Sequence, residues 1–294
     1  MFRSISIFSC VVGCLSCGMV MAKDTLRGNA GVDYSQINYK GDYFDKIYNE
    51  KIFATVYLPA VSKEDHPWKE ASFLQHASTI SVSAISAQTS TDYGDTYHGA
   101  GLSLGGNYAS RTHSLVLGAS LFHRDDDMGN YNVKYDSYTF SAGSYLGKST
   151  LLSLDYNISK QKETISGFGT DNTESLGLNS KFLFEYAGGT AFGMFINATY
   201  LRSKPDQQSP YNEKSVQLSP EFYFNQTTSI TFNYYQRFGA TNSFKGLRTY
   251  ELTLHKFIGQ MFAFYAALKK YDYLGTNIVS APENSFELRG ELWF

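Results

Sequence analysis

Apolar and polar residues alternate along most of this chain with a period of two. Leu152, Leu154, Tyr156 and Ile158 fall on one face of an extended segment, and Leu176, Leu178, Phe182 and Phe184 on the next. Further sets follow at Phe192, Met194, Ile196, Ala198 and Tyr200, then at Val216, Leu218, Phe222 and Phe224, then at Ile230, Phe232 and Tyr234. Tyr250, Leu252 and Leu254 precede a last pair, Phe262 to Leu268 and Phe286 to Phe294. Period two sustained this long predicts strands that each bury one face. Upstream, Ile80–Val82–Ala84, the glycine-rich Leu102–Leu104, Leu115 to Leu121 and Tyr138 to Ala142 continue the pattern. The earliest segments are less regular: 50–59 is apolar on both faces, and Val32–Tyr34 is out of phase with Ile37–Tyr39, as a bulge would cause.

The connections alternate too. Short turns are expected at 146–149, 187–190, 225–228 and 258–260, and longer polar loops at 160–173, 203–214, 240–247 and 271–284. Strands of this kind with turns short on one side and loops long on the other suit a closed transmembrane barrel. The count is about fourteen strands, with twelve the alternative; both are even, as a single-chain bacterial barrel requires. A soluble β-sandwich also alternates, but it leaves so much outward aromatic and aliphatic surface without a partner. The 61–70 linker, with Pro67 and Trp68, is long for a turn on the short side.

The end of the chain is the sharpest signal. Phe286, Leu288, Leu292 and Phe294 share one face of the last strand, and Glu287, Arg289 and Glu291 the other. This segment resembles the assembly signal of Gram-negative outer-membrane β-barrels, carried here by Gly290, Leu292 and the terminal Phe294. The plan of the chain is similar to monomeric fourteen-stranded porins of the OmpG type. The resemblance implies an antiparallel barrel over 23–294, inserted by the outer-membrane assembly machinery among outer-membrane lipid and lipopolysaccharide. It also implies passage of small hydrophilic solutes or ions.

Residues 1–22 read as a secretory signal peptide: Arg3 gives a positive start, 4–20 is apolar or small, and Val20-Met21-Ala22 offers a cleavage site. Val11-Val12-Gly13-Cys14 also fits a lipobox, which leaves lipidation at Cys14 as the other reading. All three cysteines (Cys10, Cys14, Cys17) fall in this segment, so a chain cut at Ala22 has no thiol, disulfide or cysteine-based metal site.

Composition changes the picture less. Hydrophobic content of 43% with a mean hydropathy of −0.28 fits a barrel whose alternate residues face water. The 23 Tyr and 22 Phe against 6 Pro favour β structure. A net charge of −2 argues against a nucleic-acid partner, which needs a basic face.

If the apolar sets face lipid, the intervening residues line the lumen. The candidate channel-lining residues are Lys181, Glu185, Glu221, Arg237, Glu251, His255, Lys269, Glu287 and Arg289. With Asp155 and Glu291, six acids oppose four bases, which predicts a modest cation preference. Whether these charges select ions or brace the wall stays open. Inward Phe195, Tyr223, Tyr235 and Tyr265 are candidates for an aromatic track or for simple filling. The small residues Gly99, Gly101, Ser103, Gly105, Gly118 and Ser120 leave space on the earlier lumen face.

A catalytic reading rests on His76-Ala77-Ser78, a pair similar to that of outer-membrane phospholipase and lipid A deacylase. On an upward strand it lies far from outer-leaflet lipid and has no acidic partner in view. Asp125-Asp126-Asp127 with His123 and Arg124 is expected in an external loop, with no cation-loop spacing. Neither a cofactor nor a metal nor catalysis is expected. The alternative to a channel is a closed or loop-plugged barrel acting as an adhesin, scaffold or export partner.

Overall fold

The computed structural model describes residues 25–294 apart from 42–43, 64–65, 92–94, 111, 128, 130–131, 164–168, 187–189, 207–208, 240–243 and 276–279. The expected signal segment, its cysteines and Lys23 lie outside the described residues.

Fourteen strands form one closed antiparallel barrel. In chain order they are β1 (Thr25–Gly41), β2 (Phe44–Ser62), β3 (Ser78–Thr91), β4 (Thr96–Ala109), β5 (Leu115–Asp127), β6 (Asn132–Tyr145) and β7 (Thr150–Glu163). Then come β8 (Thr170–Glu185), β9 (Ala191–Pro205), β10 (Tyr211–Asn225), β11 (Thr228–Phe238), β12 (Phe244–Ile258), β13 (Phe262–Gly275) and β14 (Ser280–Trp293). Each strand pairs with its sequence neighbours, and β14 pairs back onto β1 from Asn29↔Trp293 to Gly41↔Ser280. Closure leaves no edge, as hydrocarbon demands, because each unsatisfied backbone group there costs several kcal/mol.

The alternating apolar sets point outward. Leu178 is 54% exposed and Leu268 67%. Facing water, such a belt would be an aggregation surface; facing lipid, it is the stable solution. The expected irregularity of the first strand is a register shift between Asn38 and Tyr39.

Thr25 and Phe294 lie at one end of the barrel, here called the proximal mouth; the other end is the distal rim. The polar stretches expected as long distal loops are largely strand: β7 and β8 reach Glu163 and Thr170, and β9 and β10 reach Pro205 and Tyr211. Beyond the apolar belt both faces meet water, and the ladder holds without an apolar side. The Asp125–Asp127 run is likewise not a loop, since β5 continues through Asp127. Arg124 therefore points inward to Asp126 (2.7 Å), while His123 points outward to Asp136 (2.7 Å).

The expectation of uniformly short turns at the proximal end fails at one place. Residues 66–77, between β2 and β3, fold into the mouth as a plug: a 3-10 turn (Trp68–Glu70) followed by the short helix α1 (Ala71–Leu74). The linker that looked too long for a turn is this plug.

The barrel closes at a tight seam. Gly28 N–H donates to the Phe294 carbonyl at 3.0 Å, and Phe294 N–H donates to the Gly28 carbonyl at 3.1 Å. The Phe294 ring is buried with Ala30 and Ala54. A Cβ at Gly28 would come 2.2 Å from the Thr55 carbonyl oxygen and 3.1 Å from that ring, so only glycine fits.

Candidate functional site: the lumen and its plug

Polar side chains form ladders around the lumen. Asn197 donates to Asn179 and Asn179 to Asp155 (2.6 Å), while Asn157 bridges Ser137 and Thr139. These residues alternate with the outward apolar sets, so the strand period itself places them inside.

Most of the candidate lining residues are in ion pairs. Lys269 meets Glu251 at 2.8 Å, and Arg237 meets Glu213. Arg289 lies between Asp33 (3.1 Å) and Glu287 (2.8 Å), stacked over the Tyr265 ring. His255 points inward but is buried, with its ring edge-on to Phe257 and near Tyr265, so it offers little surface to a solute.

The remaining three charges hold the plug. His66 Nδ1 lies 2.7 Å from Glu185, Lys69 Nζ lies 2.7 Å from Glu221, and Glu70 pairs with Lys181. The Tyr223 hydroxyl donates to Glu70 at 2.7 Å, and Ser229 donates to Glu221 at 2.6 Å. Glu70 is only 3% exposed, so its charge is compensated inside the protein rather than by solvent. Burial by itself would lower Lys69, but the Glu221 and Glu70 carboxylates outweigh it and hold the ammonium above the ordinary lysine range.

Apolar packing completes the seat. Trp68 is edge-on to Phe257, which packs against Trp293. Leu26, Tyr57, Val61 and Ala71 join this cluster. On the other side Phe73 and Leu74 pack with Ala109, Tyr145, Leu183 and Tyr223, and His76 stacks on Tyr145 at 3.5 Å. The two-faced apolarity of 50–59 now has its cause, because inward Tyr57 covers the plug while Val56 and Leu58 face out. The plug meets β6, β8, β10 and β12 directly and shares apolar clusters with β1, β2, β4 and β14. At its base, the Gln75 side chain bonds both main-chain groups of Ser62 (2.9 and 2.7 Å).

Two cavities border the plug. One of about 270 Å³ is lined by Lys69, Glu70, Glu221, Tyr223 and Asn233. The other, about 380 Å³, is lined by Phe73, Asn107, Tyr145, Asp155 and Asn179. Lys181 and Phe195 border both. Of the four proposed inward aromatics, Tyr223 seats the plug and Phe195 and Tyr265 border the cavity floor. The small residues of β4 and β5 do not leave empty space: a Cβ at Gly99 would collide with Asp126, and one at Gly118 with Asn107 and Ser141.

His76 and Ser78 do not form a pair. His76 stacks on Tyr145, and the Ser78 hydroxyl accepts from Ala109 N–H at 3.0 Å. Reading the sequence missed His66, Lys69 and Glu70 as site residues. Their signal was present in the length and charge of the linker around Pro67.

No protein-family model matches the chain, and no curated protein sequence does. Solved structures do. The chain is similar to the outer-membrane protein Omp33 of Acinetobacter baumannii, at 14% identity and a TM-score of 0.54, covering 93% of this chain and 100% of that one. It is similar to CdiB from Acinetobacter baumannii (13%, TM-score 0.51, covering 93% and 60%). A TodX mutant, a monoaromatic hydrocarbon channel, aligns at 10% identity with a TM-score of 0.50, covering 92% and 91%. The chain has the fold of Gram-negative outer-membrane β-barrels.

Proposed function

We propose that this protein is an outer-membrane channel for small hydrophilic solutes or ions, closed at its periplasmic mouth by the 66–77 plug. One observation carries the reading: a polar, charged lumen ends on a segment held by two ion pairs, Lys69–Glu221 and Glu70–Lys181, and a His66–Glu185 contact rather than by a covalent or wholly apolar seal. Water fills such a lumen, and a segment latched by charge can be released by competing charge. A channel for hydrocarbons, as the TodX structure is described, needs an apolar path; here Asp155, Asn179, Lys181 and Asn233 line the floor.

Planar-bilayer recording tests the proposal. The wild type should be mostly closed with rare openings. A variant in which 64–76 is replaced by a short glycine–serine turn should conduct continuously. No current from that variant, in folded and heat-modifiable form, would exclude a channel.

The second reading is a closed barrel serving as an adhesin, scaffold or export partner. The burial of Glu70 and the two apolar clusters around the plug favour it. A silent plug-deleted variant would select it.

A further inference from the structure

The cavity of about 380 Å³ beside the plug has two unlike ends. The end nearer the plug is apolar, where Phe73, Tyr145 and Leu151 meet. The distal end is polar, formed by Asp155 and by Ser141, which lies directly opposite it on the neighbouring strand. Tyr145 and Leu151 are paired four residues closer to the plug, so the two ends are about 14 Å apart along the strands. The row between them consists of Ala109, Val116, Gly143 and Ser153, none larger than valine, and this keeps the space open.

The carboxylate at the distal end is held but not neutralised. Asn197 donates to Asn179, and Asn179 donates to Asp155 Oδ2 at 2.6 Å, which fixes the group in place. Nothing among the described residues engages Oδ1, and none of them supplies Asp155 with a cation. Lys181 is the one cation in the cavity lining; Glu70 holds it, and it lies 4.6 Å over the Phe73 ring. An entering anion would therefore meet a carboxylate and no free positive charge. A metal ion needs several oxygen ligands and is better served by its own water than by one carboxylate. An ammonium joined to an apolar body suits both ends, because the charge meets Asp155 while the body displaces water from Leu151 and Tyr145.

We propose that this cavity is a binding site for a small organic ammonium, a primary amine that carries one aromatic ring or a short alkyl body. The ammonium donates to Asp155 Oδ1 and to the Ser141 hydroxyl, and the body lies along Val116 and Leu151 toward Tyr145. The site names a solute class for the channel proposed above and rests on that reading only for a water-filled lumen. Binding is read without conduction. A plug-deleted variant that is silent in bilayers, beside a wild type that binds the amine, would therefore refute the channel alone.

Isothermal titration calorimetry of the folded, detergent-purified protein tests the site. The probes are phenylethylammonium, its neutral analogue phenylethanol, the anion phenylpropionate, and methylammonium, which has the charge without the body. Phenylethylammonium should bind at least about tenfold more tightly than each of the other three, as a hydrogen bond to a charged group implies. Asp155→Asn should bring phenylethylammonium down to the level of phenylethanol and leave phenylethanol itself unchanged, which a merely structural defect would not do. Glu163→Gln removes the same charge about 27 Å away on the same strand and should keep the affinity within about twofold. Heat-modifiability on gels confirms that both variants fold. Equal binding of the ammonium and the alcohol, tighter binding of the anion, no binding of any probe, or an unchanged affinity in folded Asp155→Asn would overturn the proposal.

Discussion

Lys69 Nζ lies 2.7 Å from Glu221 Oε1, so a residue of the β2–β3 connection is tied to a strand on the other side of the bore. The Glu221 carboxylate also accepts from Ser229, and its neighbour Tyr223 reaches Glu70. Two adjacent plug residues of opposite charge thus meet two wall charges in the reverse sense. A displaced register of the plug would bring like charges together, so the pairing fixes position as well as adding stability.

A charge swap checks that latch. Lys69→Glu alone puts three carboxylates at the floor and should raise the open probability at least about tenfold, since breaking a buried pair costs on the order of 3 kcal/mol. Adding Glu221→Lys should restore most of the closure. A double variant as open as the single one would show that the pair does not hold the plug.

Lys69 also fixes a pH expectation. Its folded value lies above the ordinary lysine range, so its contribution is fully present below that range and is lost only as pH rises through the folded value. Closure should therefore be unchanged from neutral to mildly alkaline pH and should weaken in strong alkali. Opening on a shift from neutral to mildly alkaline buffer would contradict this assignment.

Selectivity should follow the unpaired lumen charges. Asp155, Glu163 and Asp171 have hydrogen-bond partners but no cationic partner among the described residues, against one inward cation, Lys51, that lies over the Phe53 ring with no acidic partner among them. In a plug-deleted background the pore should prefer cations under a KCl gradient, and Asp155→Asn should reduce that preference. The neutral double removal Glu251→Gln with Lys269→Met should leave the reversal potential nearly unchanged. Anion preference in the parent, or a larger shift from the double variant than from Asp155→Asn, would refute this.

The seam predicts assembly defects. Gly28→Val forces a methyl-bearing carbon against the Thr55 carbonyl and the Phe294 ring. Deleting Phe294 removes both the hydrogen bonds to Gly28 and that ring. Each should lower the heat-modifiable yield in outer-membrane fractions severalfold, whereas Glu287→Gln should not. Equal yields for all three would show that closure does not depend on the seam.

Processing is the last expectation. Intact-mass measurement of the exported protein should place its first residue at Lys23. An acylated Cys14 at the N-terminus would instead establish the lipobox reading.

The sequence by itself determined the barrel. Period-two alternation decided which residues of β7 to β14 face lipid, because a strand offers only two faces and lipid accepts only one kind of side chain. The same parity placed Lys181, Glu185, Glu221, Glu251 and Lys269 inside. It could not show what those charges meet, since partners such as Glu70 and Lys181 are far apart in sequence and come together only when the sheet closes. The plug was visible only as a linker of awkward length, for residues 63–77 carry no strand or helix periodicity of their own. Its conformation comes from the cavity it fills: Trp68, Ala71, Phe73 and Leu74 are held by Phe257, Trp293, Tyr145 and Leu183. Local pattern sets which way a side chain points, while closure and register decide which residue it meets.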